Sequence, residues 1–145
     1  DEVTYSLHVI LRYELEKSLI EGSLAVKDIP HVWNEKMSTY LGITPPTARE
    51  GCLQDIHWAW GLFGYFPSYV LGNLYAAQFH HTLRSTYPDS DERLAQGQLS
   101  FMTDWLRKHV HRYGKLYSPD DLVRRATGSP LSEKFFKNYL TQKYQ

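Results

Sequence analysis

The sequence holds a single cysteine, Cys52, so no intrachain disulfide can form and the fold must rely on its core. That suits a reducing compartment. Neither sign of charge is in excess: Lys and Arg number 16, as do Asp and Glu. A dedicated nucleic-acid or anionic-membrane binder would normally carry a basic surplus. No apolar run approaches the roughly 18 residues of a transmembrane helix. The apolar stretch Leu7-His8-Val9-Ile10-Leu11 is broken at once by Arg12 and Glu14, and reads as a buried helix rather than a signal-peptide core. Strand-like alternation, internal repeats and low-complexity tracts are also missing.

What remains is a chain of 145 residues, 42% hydrophobic, enough for one globular domain spanning residues 1–145. Aromatic residues make up 14% of it and include 11 tyrosines, so polar pockets that satisfy buried hydroxyls are expected. The periodicity predicts an all-α fold of about six or seven helices. Val3, Leu7, Ile10, Leu11, Leu15 and Leu19 recur at helical spacing up to Ile20; the added Val9, Tyr13 and Ile20 predict a helix buried on most sides, ended by Gly22. No capping residue precedes this helix, which leads us to expect more chain upstream of Asp1. Further helices are predicted over Pro30–Leu41, Cys52–Trp60, Pro67–Thr86, Leu99–Val110, Pro119–Thr127 and Ser132–Tyr144. Adjacent prolines at 45 and 46 force a loop, Tyr87–Asp91 reads as a polar loop, and Gly51–Phe66 is an irregular stretch rich in glycine and aromatics.

The seven histidines include no pair spaced three or four apart, the spacing a helical metal site requires, so no complete metal site is expected within the chain. Cys52 lacks the basic neighbours of a reactive thiol, and Gly61-Leu62-Phe63-Gly64 has too few glycines for a phosphate loop. Arg12 and Glu16, one turn apart, are expected to pair with each other. Chemistry concentrates instead in Gln54, Asp55 and His57, three polar groups inside an apolar run. Asp55 can fix the tautomer of His57, and the tyrosines that follow, Tyr65 and Tyr69, could donate to a developing oxyanion. The same three polar residues would equally serve as a buried structural network.

The pattern Gly51-x-x-Gln54-Asp55-x-His57-Trp58 resembles a signature of the thermostable (Taq-type) zinc metallocarboxypeptidases. So do the tract from Gly64 to Gln78, the opening from Asp1 to Glu16 and the stretch from Ala126 to the last helix, so the resemblance covers essentially the whole chain. It implies a helical peptidase, typically a cytoplasmic homodimer, that removes residues singly from peptide C-termini. It also implies zinc held by two histidines of an HEXXH helix and a downstream glutamate. None of those residues is in this sequence, and of the family's Ile-Arg-x-x-Ala-Asp motif only the final residue is matched, by Asp1. The tract is similar as well to the His-plus-Tyr loop of helical zinc oligopeptidases, in which a tyrosine stands twelve residues after the histidine, as Tyr69 does after His57. The resemblance thus implies Tyr69 as oxyanion donor, His57 as a second contact, and Gln54 and Asp55 as orienting residues. Where the oligopeptidases carry another tyrosine this chain has Leu62, and Tyr65 could take that role. The expectation is a substrate-contacting portion of a metallocarboxypeptidase, inactive alone. The alternative is a non-catalytic helical module that binds a peptide or mediates dimerisation.

Overall fold

The computed structural model describes residues 2–145; Asp1, matched above to the end of a motif, lies outside the described residues. Eight α-helices and three short 3-10 turns account for the regular structure, and no strand occurs among the described residues. The chain divides into two compact units, one up to Leu71 and one from Gly72 to Gln145.

In the first unit, α1 (Glu2–Ile20) packs against α2 (Ile29–Leu41). Pro30 stands in the first turn of α2 and Gly42 caps its end. Leu11, Leu15, Trp33, Met37 and Cys52 form the core, with Leu24, Ile29, Val32, Tyr40, Leu41 and Trp58 against it. Each large side chain fully buried there stabilises the unit by about 1.5–3 kcal/mol. The expectation of a helix buried on most sides does not hold: Val9, Leu11, Leu15 and Glu16 are buried, while Val3, Ile10, Tyr13 and Ile20 face solvent. Leu11 and Leu15 join the core shared with α2, while the exposed apolar residues lie off that face.

The two helices are also joined by a polar network. Glu14 accepts hydrogen bonds from the Lys36 ammonium at 2.6 Å and the Tyr40 hydroxyl at 2.7 Å. The bond from Lys36, then that from Tyr40, lowers the pKa of Glu14 from its ordinary 4.5, and the bond to Glu14 raises Lys36 from 10.5. A depressed carboxylate stabilises the fold above its unfolded pKa and loses that contribution as pH falls through the folded value. A raised ammonium contributes below its unfolded pKa and loses its share as pH rises through the folded value. Glu14→Gln should therefore lower Tm by a constant amount near neutrality, with the deficit shrinking below about pH 4.5 and above about pH 10.5. Because both side chains are partly solvated, the loss should be under about 1 kcal/mol and should weaken with salt. Thermal melts of both proteins across pH check this.

In the second unit, α4 (Ser68–Thr86) continues from the first and is followed by α5 (Ser90–Ala95), α6 (Ser100–His109), α7 (Pro119–Thr127) and α8 (Glu133–Tyr144). Leu83, Phe101, Trp105 and Ala126 form its core. Ser118 caps α7 and Ser132 caps α8, each through its hydroxyl. Helix α5 follows the polar loop and raises the count to eight, one above the expected range. Six residues are too few to show an apolar period. Gln78 is fully buried. Its amide nitrogen donates to Thr127 Oγ1 at 2.9 Å and to the Pro130 carbonyl at 3.0 Å, and its oxygen accepts from the Ser132 amide at 3.0 Å, which ties down the α7–α8 connection.

Candidate functional site

The segment expected as one helix over Cys52–Trp60 is broken in two: a 3-10 turn at Cys52–Gln54, then α3 (Ile56–Ala59). Asp55 makes the break. Its backbone is extended, and its carboxylate accepts from the amides of His57 (2.8 Å) and Trp58 (3.4 Å), capping α3. The turn before it is tightly packed, since a Cβ at Gly51 would lie 3.2 Å from both Pro45 Cβ and Trp33 Nε1. A side chain there would require Pro45 or Trp33 to give by a few tenths of an ångström.

Asp55, with a side chain only 1% exposed, is the hub of the site. Its Oδ2 accepts from Arg12 Nε at 2.7 Å, and its Oδ1 lies 3.1 Å from His57 Nδ1. The Arg12 guanidinium is 4.7 Å from the centroids of both Trp33 and Phe66 and donates to the His8 carbonyl at 2.9 Å. With Asp55 facing Nδ1, the proton of neutral His57 belongs on that nitrogen. Nε2 is then left free to accept a hydrogen bond from a ligand.

Around His57 stand Tyr65 (5.7 Å, stacked), Phe66 (5.1 Å, edge-on) and Tyr69 (6.1 Å, edge-on). Tyr69 also meets Tyr65 and Phe66 edge-on, at 5.6 and 5.3 Å. Tyr65 and Tyr69 are exposed. Desolvation first, then Tyr65 and Tyr5, raises the Tyr69 pKa above its ordinary 10.0, so it remains a phenol and a hydrogen-bond donor across the neutral range. The structure thus brings Asp55, His57, Tyr65 and Tyr69 together. Gln54 is not brought to them: it is exposed and donates to the Arg49 carbonyl. The alternation of side chains between a 3-10 turn and an extended residue sends neighbours 54 and 55 different ways.

The sequence profile described as carboxypeptidase Taq (M32) metallopeptidase matches residues 1–144. The chain belongs to the M32 metallopeptidase family. Over 144 residues it is 46% identical to Carboxypeptidase 1 of Bacillus subtilis and 45% identical to Thermostable carboxypeptidase 1 of Thermus thermophilus, covering 99% of this chain and 29% and 28% of theirs. A solved structure of Pyrococcus furiosus carboxypeptidase superposes with a TM-score of 0.97 at 39% identity, over 100% of this chain and 29% of that one. The all-α architecture is therefore that of M32 carboxypeptidases, and the chain spans under a third of the length of these relatives.

An M32 metallopeptidase requires a metal, and the donors here do not fit one: among the described residues no three His, Cys, Asp or Glu side chains converge. Asp55, the nearest oxygen donor to His57, is already shared among Arg12, two amides and His57 itself. Sequence reasoning missed two residues of this M32 stretch. Arg12 and Glu16 do not pair with each other. Arg12 turns to Asp55, while Glu16 accepts from Trp58 Nε1 and the Gly64 amide, both at 2.8 Å. Their signal was position: two charges beside the buried Leu11–Leu15 stripe, where an exposed i,i+4 pair would be out of place.

Proposed function

We propose that this stretch belongs to a zinc metallocarboxypeptidase that removes residues singly from peptide C-termini, and that it supplies contacts to the reacting carbonyl and its flanks while the zinc ligands lie elsewhere in the polypeptide. One observation carries the reading: an imidazole held by a buried carboxylate lies against two exposed phenols, one of them with a raised pKa. Such a set suits a peptide bond, which offers an N–H to accept from and an oxygen to donate to. Tyr69 donates to the oxygen as it gains negative charge, neutral His57 accepts a peptide N–H at Nε2, and Tyr65 provides the second phenol. Asp55 orients His57, and Gln54 braces the turn through Arg49. In this reading both units are parts of one catalytic domain, the enzyme is a cytoplasmic homodimer, and its substrates are peptides with a free C-terminus. No helix among the described residues is long and apolar enough to cross a membrane.

The test is made on the longer polypeptide carrying this stretch. It should release single C-terminal residues from a peptide, fail on the C-terminally amidated peptide, lose activity to a chelator and regain it with zinc. The 145-residue stretch alone should not hydrolyse the peptide. Peptide binding without hydrolysis by the zinc-loaded longer protein would replace this reading with that of a binding module.

A further inference from the structure

Glu16 is 4% exposed, yet the partners of its carboxylate are both neutral N–H groups. Oε1 accepts from the indole of Trp58 on α3, and Oε2 accepts from the amide of Gly64 in the loop that follows. A buried carboxylate is costly to desolvate, and an uncharged acceptor could satisfy either N–H alone. What the carboxylate adds is geometry: two equivalent acceptors a fixed distance apart, held on a rigid helix, that clamp two separate segments. Gly64 has φ +78°, a left-handed conformation that side-chain-bearing residues rarely adopt, and it directly precedes Tyr65. The Trp58 ring under the clamp stacks on Phe63, and Tyr65 and Phe66 continue into ring contact with His57 and Tyr69. One turn earlier on the same helix, Arg12 holds Asp55 and through it His57. Helix α1 therefore grips both halves of the constellation, the imidazole through Arg12 and the phenol loop through Glu16.

We propose that Glu16 is a positioning residue of the peptidase site, whose carboxylate sets the register of the Gly64–Tyr69 segment against His57; this rests on the function proposed above. The test compares Glu16→Gln, Tyr69→Phe and the double variant in the longer polypeptide, with kcat, KM and hydrogen exchange at the Gly64 amide as readouts. Glutamine retains one acceptor but turns an NH2 donor toward one of the two N–H groups, so the clamp opens while side-chain volume is conserved. Glu16→Gln should lower kcat by about 10- to 100-fold, the cost of misplacing a reacting group by about an ångström, with KM within about threefold. In the Tyr69→Phe background the same change should cost less than about threefold, because the group being positioned is already gone. The Gly64 amide should exchange at least about tenfold faster, with α1 and α2 unaffected. An unchanged kcat, or a loss undiminished in the Tyr69→Phe background, overturns the proposal. Should Tyr69→Phe alone be silent, the Tyr69 oxyanion reading fails and Tyr65→Phe replaces it as the background of the same comparison, in which an undiminished loss overturns the proposal. If Glu16→Gln does not fold, Trp58→Phe removes one of the two donors and is read in the same way.

Discussion

Tyr69→Phe in the longer polypeptide should lower kcat by about 10- to 1000-fold and leave KM nearly unchanged. The substitution removes one hydroxyl and keeps the ring, so the edge-on contacts with His57, Tyr65 and Phe66 survive. At 39% exposure, the side chain leaves no buried group stranded when the hydroxyl goes, and the cost to stability should be small. The effect falls on kcat because a phenol donating to a carbonyl oxygen gains most as that oxygen acquires charge on the way to the tetrahedral species. Since the raised pKa keeps Tyr69 protonated through the neutral range, the ratio of wild-type to variant rates should be flat there and vary only at high pH. Steady-state kinetics on a peptide with a free C-terminus check both statements. An unchanged kcat would remove Tyr69 from the site and pass the same assay to Tyr65→Phe, the other phenol in ring contact with His57.

The second large effect should come from Arg12→Met. Among the described residues Arg12 is the one full positive charge bonded to Asp55, whose side chain is 1% exposed. Methionine fills much of the space between Trp33 and Phe66, so the loss is chiefly one of charge and hydrogen bonding. Stranding a buried carboxylate typically costs about 3–5 kcal/mol; the two amides and His57, which still face Asp55, put this case near the lower end. Denaturant or thermal unfolding measures it. A second variant identifies the cause: adding Asp55→Asn to Arg12→Met should recover at least about half of the lost stability, because the penalty belongs to the orphaned charge rather than to the missing arginine. If the double variant is as unstable as the sum of the singles, packing of Arg12 against the rings is the larger contribution. Activity should not return with stability, since asparagine can turn its NH2 toward Nδ1 and favour the wrong His57 tautomer.

The reach of sequence reasoning is clearest in the stretch from Gly51 to Tyr69. That Asp55 meets His57 was legible because the two stand two residues apart, and an aspartate before a short helix turns its carboxylate back on the next amides. That Tyr65 and Tyr69 join them follows from a short loop leading directly into a helix. Gln54 belongs to the same motif but faces Arg49, because the chain changes from a 3-10 turn to extended backbone between positions 54 and 55. The helix α5 went unseen for lack of length, and the outer faces of α1 proved exposed because an apolar residue shows its period but not what covers it.

The amino-acid sequence by itself determined the all-helical architecture, most helix ends and the Asp55–His57 pair, since each depends on residues within a few positions of one another. Only the tertiary structure decided the partners of Arg12 and Glu16. Those contacts span 43 residues to Asp55, 42 to Trp58 and 48 to Gly64. Judged locally, the two charges should pair along the helix, an interaction worth only a few tenths of a kcal/mol at an exposed site. Docking α1 against α2 and the Gly51–Phe66 stretch takes both charges out of water. Once desolvated, each must find a complete set of hydrogen bonds, and those partners come from elsewhere in the chain.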